Sequence, residues 1–226
     1  MKQELSGWNK SEAIWLCFAT LTILALSLYW KDSVIGIIAA ITGVLCVVLT
    51  GKGKISSYVF GMINTLLYAY VAFGAKYYGE VMLNLLYYVP MNFVGWFAWK
   101  KYINTDTGEV AKRKLSAKFI AMLFTVIAIA AVIYGLLLSG LGGNLPYIDS
   151  ISTVLSVVAQ ILCVRRYREQ WLLWIVVNAV TIIMWIIAFW NGGESVATLL
   201  MWSIYFINAL IMYRKWSKEA QMCDIK

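Results

Sequence analysis

The chain has 226 residues, 62% hydrophobic and 13% charged, and its mean hydropathy of +0.76 excludes an ordinary soluble domain. The net charge of +8 does not describe a nucleic-acid surface, because the basic residues stand in short clusters between apolar runs. Histidine is absent and the four cysteines lack CxxC spacing, so no catalytic base, metal site, disulfide framework or cofactor is expected.

Eight apolar segments follow in chain order, at 13–30, 33–50, 55–73, 79–99, 117–138, 148–164, 170–190 and 195–213. Each is long enough to cross ~30 Å of hydrocarbon at ~1.5 Å per residue. They predict an all-α integral membrane protein with eight transmembrane helices and the lipid bilayer as its solvent. The first segment follows Lys2 and Lys10 but shows no small-x-small cleavage site, so it reads as a helix rather than a signal peptide.

When the segments alternate across the membrane, 17 of the 19 Lys and Arg residues fall on one side, leaving only Lys31 and Lys76 opposite. The positive-inside rule then predicts that both termini are cytoplasmic. Residues 33–102 also slide onto 147–216 without a gap, aligning Asn64 with Asn178, Gly79-Glu80 with Gly193-Glu194 and Lys100-Lys101 with Arg214-Lys215. Two three-helix repeats can run parallel only if another crossing separates them, and 117–138, without a midspan acid, base or carboxamide, supplies it. The expected organisation is a tail and accessory helix (1–32), repeat one (33–102), a basic loop and linker helix (103–146), repeat two (147–216) and a tail (217–226). Transporters with repeats of this kind hold substrate near midplane between the halves.

Polar residues within the segments mark the expected site. In the stretch 84–102, NLLYYVPMNFVGWFAWKKY, Asn84, Tyr88, Asn92 and Trp96 recur every fourth residue, and Pro90 predicts a kink. An unpartnered polar group in hydrocarbon costs roughly 2–7 kcal/mol, so these carboxamides should face protein, water or a ligand. Asn64 and Tyr68 form a similar pair. The segment 148–164 carries Asp149, Ser152 or Thr153, Ser156 and Gln160 on one stripe. Its hydroxyls read chiefly as interhelical glue, whereas Gln160 needs several partners. In 170–190, Trp174, Asn178, Thr181 and Trp185 share a face, placing a carboxamide between indoles as a flat polar ring would require; Trp171 is assigned to the interfacial aromatic belt.

The acids Asp32, Glu80, Asp149 and Glu194 fall at predicted outer ends, and none lies at midspan. Ion-coupled carriers usually hold an intramembrane carboxylate or histidine, so facilitated diffusion is favoured. A membrane enzyme such as a lipid-modifying transferase would want clustered acids, a histidine or a surface nucleophile, and a scaffold subunit would not need the polar stripes.

The segments KISSYVFGMIN, NFVGWFAW and DSISTVLSVVAQILCVRRYREQWLLWIVVNAVTIIMW resemble the PnuC family of bacterial vitamin transporters over roughly 33–216. The resemblance implies uptake of nicotinamide riboside across the bacterial inner membrane, a fold related to the SWEET sugar transporters with a 3+1+3 arrangement, and a homotrimer. It places Gln160, Asn178 and Trp185 at the central site; Asn64, Asn84, Tyr88, Asn92 and Trp174 are added from their helical faces. The family also includes thiamine and riboflavin carriers, and Asn92 stands at a position suited to tuning which vitamin fits. Indole faces hold a cationic pyridinium with ~0.5–2 kcal/mol each, while carboxamides pair with the amide and ribose hydroxyls.

Overall fold

The computed structural model describes residues 7–75, 77–140, 146–190 and 196–223. The expectations for Lys2, Lys76, Glu194 and Lys226, and for the side chain of Asp149, lie outside what is described. The helices are α1 (Lys10–Tyr29), α2 (Val34–Lys52), α3 (Ser57–Gly74), α4 (Tyr78–Met82), a π-helical turn (Leu83–Tyr88), α5 (Val89–Lys100), α6 (Ala117–Gly140), α7 (Pro146–Val164), α8 (Gln170–Trp190) and α9 (Val196–Cys223). The α4, π and α5 pieces make one rod, whose apolar span is Gly79–Lys100. Among the described residues, seven helices, this rod included, are long and apolar enough to cross a membrane, and α7 adds an eighth with the shorter apolar run Ser150–Val164.

Local chemistry explains the helix ends. Asn9 and Glu12 form a reciprocal capping box that starts α1, Ser33 caps α2 through the Gly36 amide, and Gly53, at φ +82°, ends α2 in the left-handed region. The rod answers the expected Pro90 kink with a six-residue π-helical turn just before the proline. Pro90 has no N–H to donate, and a widened turn absorbs the displaced carbonyl without breaking the helix.

Six of these spans close into a ring. α2 packs on α3, α3 on the rod, the rod on α7, α7 on α8, α8 on α9, and α9 back on α2. Helix α1 lies outside, against α2 and α9, while α6 packs on α7 alone. The outward faces of α1 and α6, including Phe18, Leu21, Phe124, Ile129 and Ile133, are exposed as lipid-facing surfaces should be.

Helix α9 runs to Cys223, beyond its predicted apolar end near residue 213, because Trp216 and Ala220 stay buried. The basic end is likewise less solvated than its charges suggest. Trp99 donates its indole N–H to the Cys163 carbonyl at 3.1 Å, and Trp216 donates to the Gly51 carbonyl at 2.7 Å, both rings being fully buried. The loop before α6 is pinned to both neighbouring turns: the Val110 amide donates to the Gly53 carbonyl, and Arg113 exchanges backbone hydrogen bonds with Arg166 and Arg168. Lys52, Lys54 and Lys112 are buried. Lys52 pairs with Glu12 at 2.7 Å and Glu109 at 3.1 Å, Lys112 pairs with Glu109 at 3.1 Å and Glu219 at 2.6 Å, and Lys215 also reaches Glu12.

Burial opposes ionisation of Glu109, but Lys112 and Lys52 outweigh it and hold the carboxyl below the ordinary glutamate value of 4.5. A depressed folded-state value stabilises the protein above that pH and loses its effect as pH falls below it. Glu109→Gln is therefore expected to cost about 1–3 kcal/mol near neutral pH. In thermal unfolding of detergent-purified protein, the difference from the parent should shrink below pH 4.5.

Candidate functional site

The ring encloses a cavity of about 130 Å³. Its wall is built where the sequence places carboxamides and aromatic rings on inward helix faces. Asn64 comes from α3; Asn84, Tyr88 and Asn92 come from the rod; Gln160 comes from α7; Trp174 and Asn178 come from α8. These seven side chains, proposed from four separate segments, meet on one surface.

Trp185, the eighth, is not on that surface. It is 2% exposed, lies edge-on to Tyr77 at 5.4 Å, and donates its indole N–H to the Tyr68 hydroxyl at 3.1 Å. Tyr68 does line the cavity, so Trp185 acts on the wall through that hydroxyl. Two α-helical turns separate Trp185 from Asn178, and its ring packs against Tyr68 of α3 and Tyr77, just before α4. Thr181 is also turned away, its hydroxyl donating to the Val177 carbonyl.

The hydrogen bonds decide what the carboxamides can offer. Asn84 Nδ2 donates to the Glu80 carbonyl at 2.8 Å, and Asn92 Nδ2 donates to the Tyr88 carbonyl at 2.9 Å. Both amide nitrogens are thus tied one turn back along the rod, which leaves the Oδ1 atoms as acceptors. Asn64 Nδ2 donates to the Ala39 carbonyl at 2.8 Å, and the Tyr205 hydroxyl donates to Asn64 Oδ1 at 3.4 Å. Asn178 is 3% exposed, and its Oδ1 has no hydrogen-bond partner. A buried acceptor of that kind is costly unless something pairs with it.

The aromatic components are Tyr88 and Trp174, tilted with centroids 6.4 Å apart, and Tyr68, Trp202 and Tyr205, packed in sequence at 5.6 and 5.2 Å. Gly43 makes this approach possible. A Cβ there would lie 1.9 Å from the Tyr205 hydroxyl and 2.7 Å from Asn64 Nδ2.

Several wall residues were not anticipated. Trp171, assigned to the interfacial belt, is 3% exposed and lines the cavity, because it packs edge-on against Trp216 at 5.7 Å beneath the ring instead of facing lipid. Ser57, Tyr58, Thr65 and Glu80 are also on the wall. The sequence places Glu80 only at an outer helix end, and nothing in its spacing shows that this end closes over the cavity. Among the described residues, no group of His, Cys, Asp and Glu side chains suited to a metal ion occurs.

The sequence model of a family described as nicotinamide mononucleotide transporters matches residues 33–218. A nicotinamide riboside transporter PnuC from Neisseria mucosa is 43% identical over 223 residues, covering 96% of this chain and 85% of the relative. The Haemophilus influenzae protein of the same name is 39% identical over 221 residues, covering 96% and 95%. The crystal structure of a vitamin B3 transporter PnuC superposes with a TM-score of 0.89 at 41% identity, covering 98% of this chain and 97% of that one.

The different placements of the two indoles lead to different expected losses. Trp185→Phe removes a buried hydrogen bond and leaves the Tyr68 hydroxyl unpaired, so it should lower stability by about 1–3 kcal/mol. Trp174→Phe, on the cavity face, should cost less than about 1 kcal/mol. Thermal unfolding of both variants in the same detergent compares them directly.

Proposed function

Because the chain belongs to the nicotinamide mononucleotide transporter family, we propose that it carries nicotinamide riboside through the cavity enclosed by its six-helix ring, by facilitated diffusion. It is a multi-pass membrane transporter and not an enzyme. The observation that carries this reading is the convergence of Asn64, Asn84, Asn92, Gln160 and Asn178 with Tyr88 and Trp174 on one cavity. Amide oxygens accept from the substrate carboxamide and ribose hydroxyls, and ring faces suit the cationic pyridinium.

The 3+1+3 organisation is part of the proposal: residues 33–102 and 147–216 are repeats, and α6 is the crossing between them. The packing order supports it, since α9 on α2 corresponds to the rod on α7 under the 114-residue offset. Aligned positions also recur on the wall, with Asn64 matching Asn178, Cys46 matching Gln160, and Tyr88 matching Trp202. We place the basic end in the cytoplasm, with both termini, on the charge asymmetry of 17 to 2. Substrate moves by alternate opening of the two ends as the halves rock. Assembly as a homotrimer rests on the family resemblance, and the mass of the purified complex tests it.

In proteoliposomes, uptake of nicotinamide riboside should be saturable and should survive collapse of proton and sodium gradients. Excess thiamine should compete weakly. Asn178→Ala should reduce uptake at low substrate by about tenfold. Absence of saturable exchange in the parent protein would refute this function.

A further inference from the structure

The cavity has chemically different ends. At the basic end, where α3 and α8 begin, Ser57 and Trp171 occupy positions matched by the 114-residue offset. Both line the cavity; Ser57 is 1% exposed and Trp171 is 3% exposed. Neither Ser57 Oγ nor Trp171 Nε1 has a hydrogen-bond partner. Two buried polar atoms on one cavity surface, both uncharged, point to a ligand group that can both donate and accept. Trp171 Nε1 can only donate, whereas the Ser57 hydroxyl does either, and a sugar hydroxyl satisfies both.

At the opposite end, the acidic residue Glu80 lines the wall one helical turn before Asn84. The distribution of charge along the chain reinforces the contrast. By the alternation of the apolar segments, the basic side is assigned 17 Lys and Arg against 7 Asp and Glu, a net +10, and the other side 2 against 4, a net −2; together these make the +8 of the whole chain. Lys54, fully buried, lies three residues before Ser57, and the Ser57 amide donates to its carbonyl. A cationic ring is disfavoured over the lysines and favoured beside the acid.

Resting on the nicotinamide riboside reading, we infer that the cavity seats its substrate in one direction, with the pyridinium toward Glu80 and the ribose hydroxyls on a separate subsite formed by Ser57 Oγ and Trp171 Nε1. Ser57 and Trp171 are then specificity residues for the sugar, and Glu80 is the specificity residue for the charge.

The test is binding of nicotinamide riboside and its 2′-, 3′- and 5′-deoxy analogues to the detergent-purified full-length chain. The parent should bind at least one deoxy analogue about 5–10-fold more weakly than the riboside. Trp171→Phe keeps the ring and removes only the donor; it and Ser57→Ala should each weaken the riboside by a similar factor and abolish discrimination against that analogue. Glu80→Gln should weaken riboside and analogues by a common factor, with discrimination intact. The inference is overturned if the parent binds all three analogues as it binds the riboside. It is equally overturned if Trp171→Phe and Ser57→Ala preserve the parent's discrimination, or if Glu80→Gln abolishes it. If the parent binds no riboside, the transport reading itself fails, a result distinct from these.

Discussion

The cost of a polar group in hydrocarbon governs this structure more than any single contact. Five carboxamides on the transmembrane helices, Asn64, Asn84, Asn92, Gln160 and Asn178, cannot face lipid, so their helices turn those faces toward one another and the ring closes around them. Asn208 shows the alternative outcome. It is fully buried away from the cavity, where its Nδ2 donates to the Val47 carbonyl and its Oδ1 accepts from the Trp15 indole, locking α9 to α2 and α1. The same residue type therefore fastens helices at Asn208 and lines a cavity at Asn178, whose Oδ1 the protein leaves unpaired.

Within the ring, the wall is asymmetric despite the matching order of its helices. Asn64 and Asn178 align as identical residues, but Cys46 aligns with Gln160, Ser57 with Trp171, and Asn92 with Phe206. An asymmetric solute requires different partners at its two ends, which unlike residues at positions aligned in the sequence provide. The π-helical turn before Pro90 adds to this difference, since it belongs to the rod alone. Asn84 lies within it and Asn92 in the α-helix that follows, so it sets the rotation of one carboxamide relative to the other.

The basic end combines closure with charge. Trp99 and Trp216 each donate across the seam between helices, and the ion pairs of Lys52, Lys112 and Lys215 tie α1, α2, α9 and the loop before α6 into one layer. Membrane topology accounts for an excess of lysine and arginine here, but not for the burial of Lys52, Lys54 and Lys112. Buried cations need carboxylates and carbonyls at close range, and apart from Glu109 beside Lys112 those come from segments distant in the chain.

Composition and periodicity alone determined the apolar spans and which helical faces carry carboxamides, because these depend on hydrocarbon thickness and on three- and four-residue steps. Seven of the eight proposed site residues stand on the cavity wall for that reason. Tertiary structure decided what periodicity cannot encode. It put Trp185 behind Tyr68, and it carried Trp171 from an expected lipid interface onto the wall against Trp216. It also brought Glu80 from a helix end to the rim of the cavity. A helical face gives a direction around one axis, whereas the distance of a side chain from the cavity depends on where neighbouring helices cross it, and that is a property of the assembled ring.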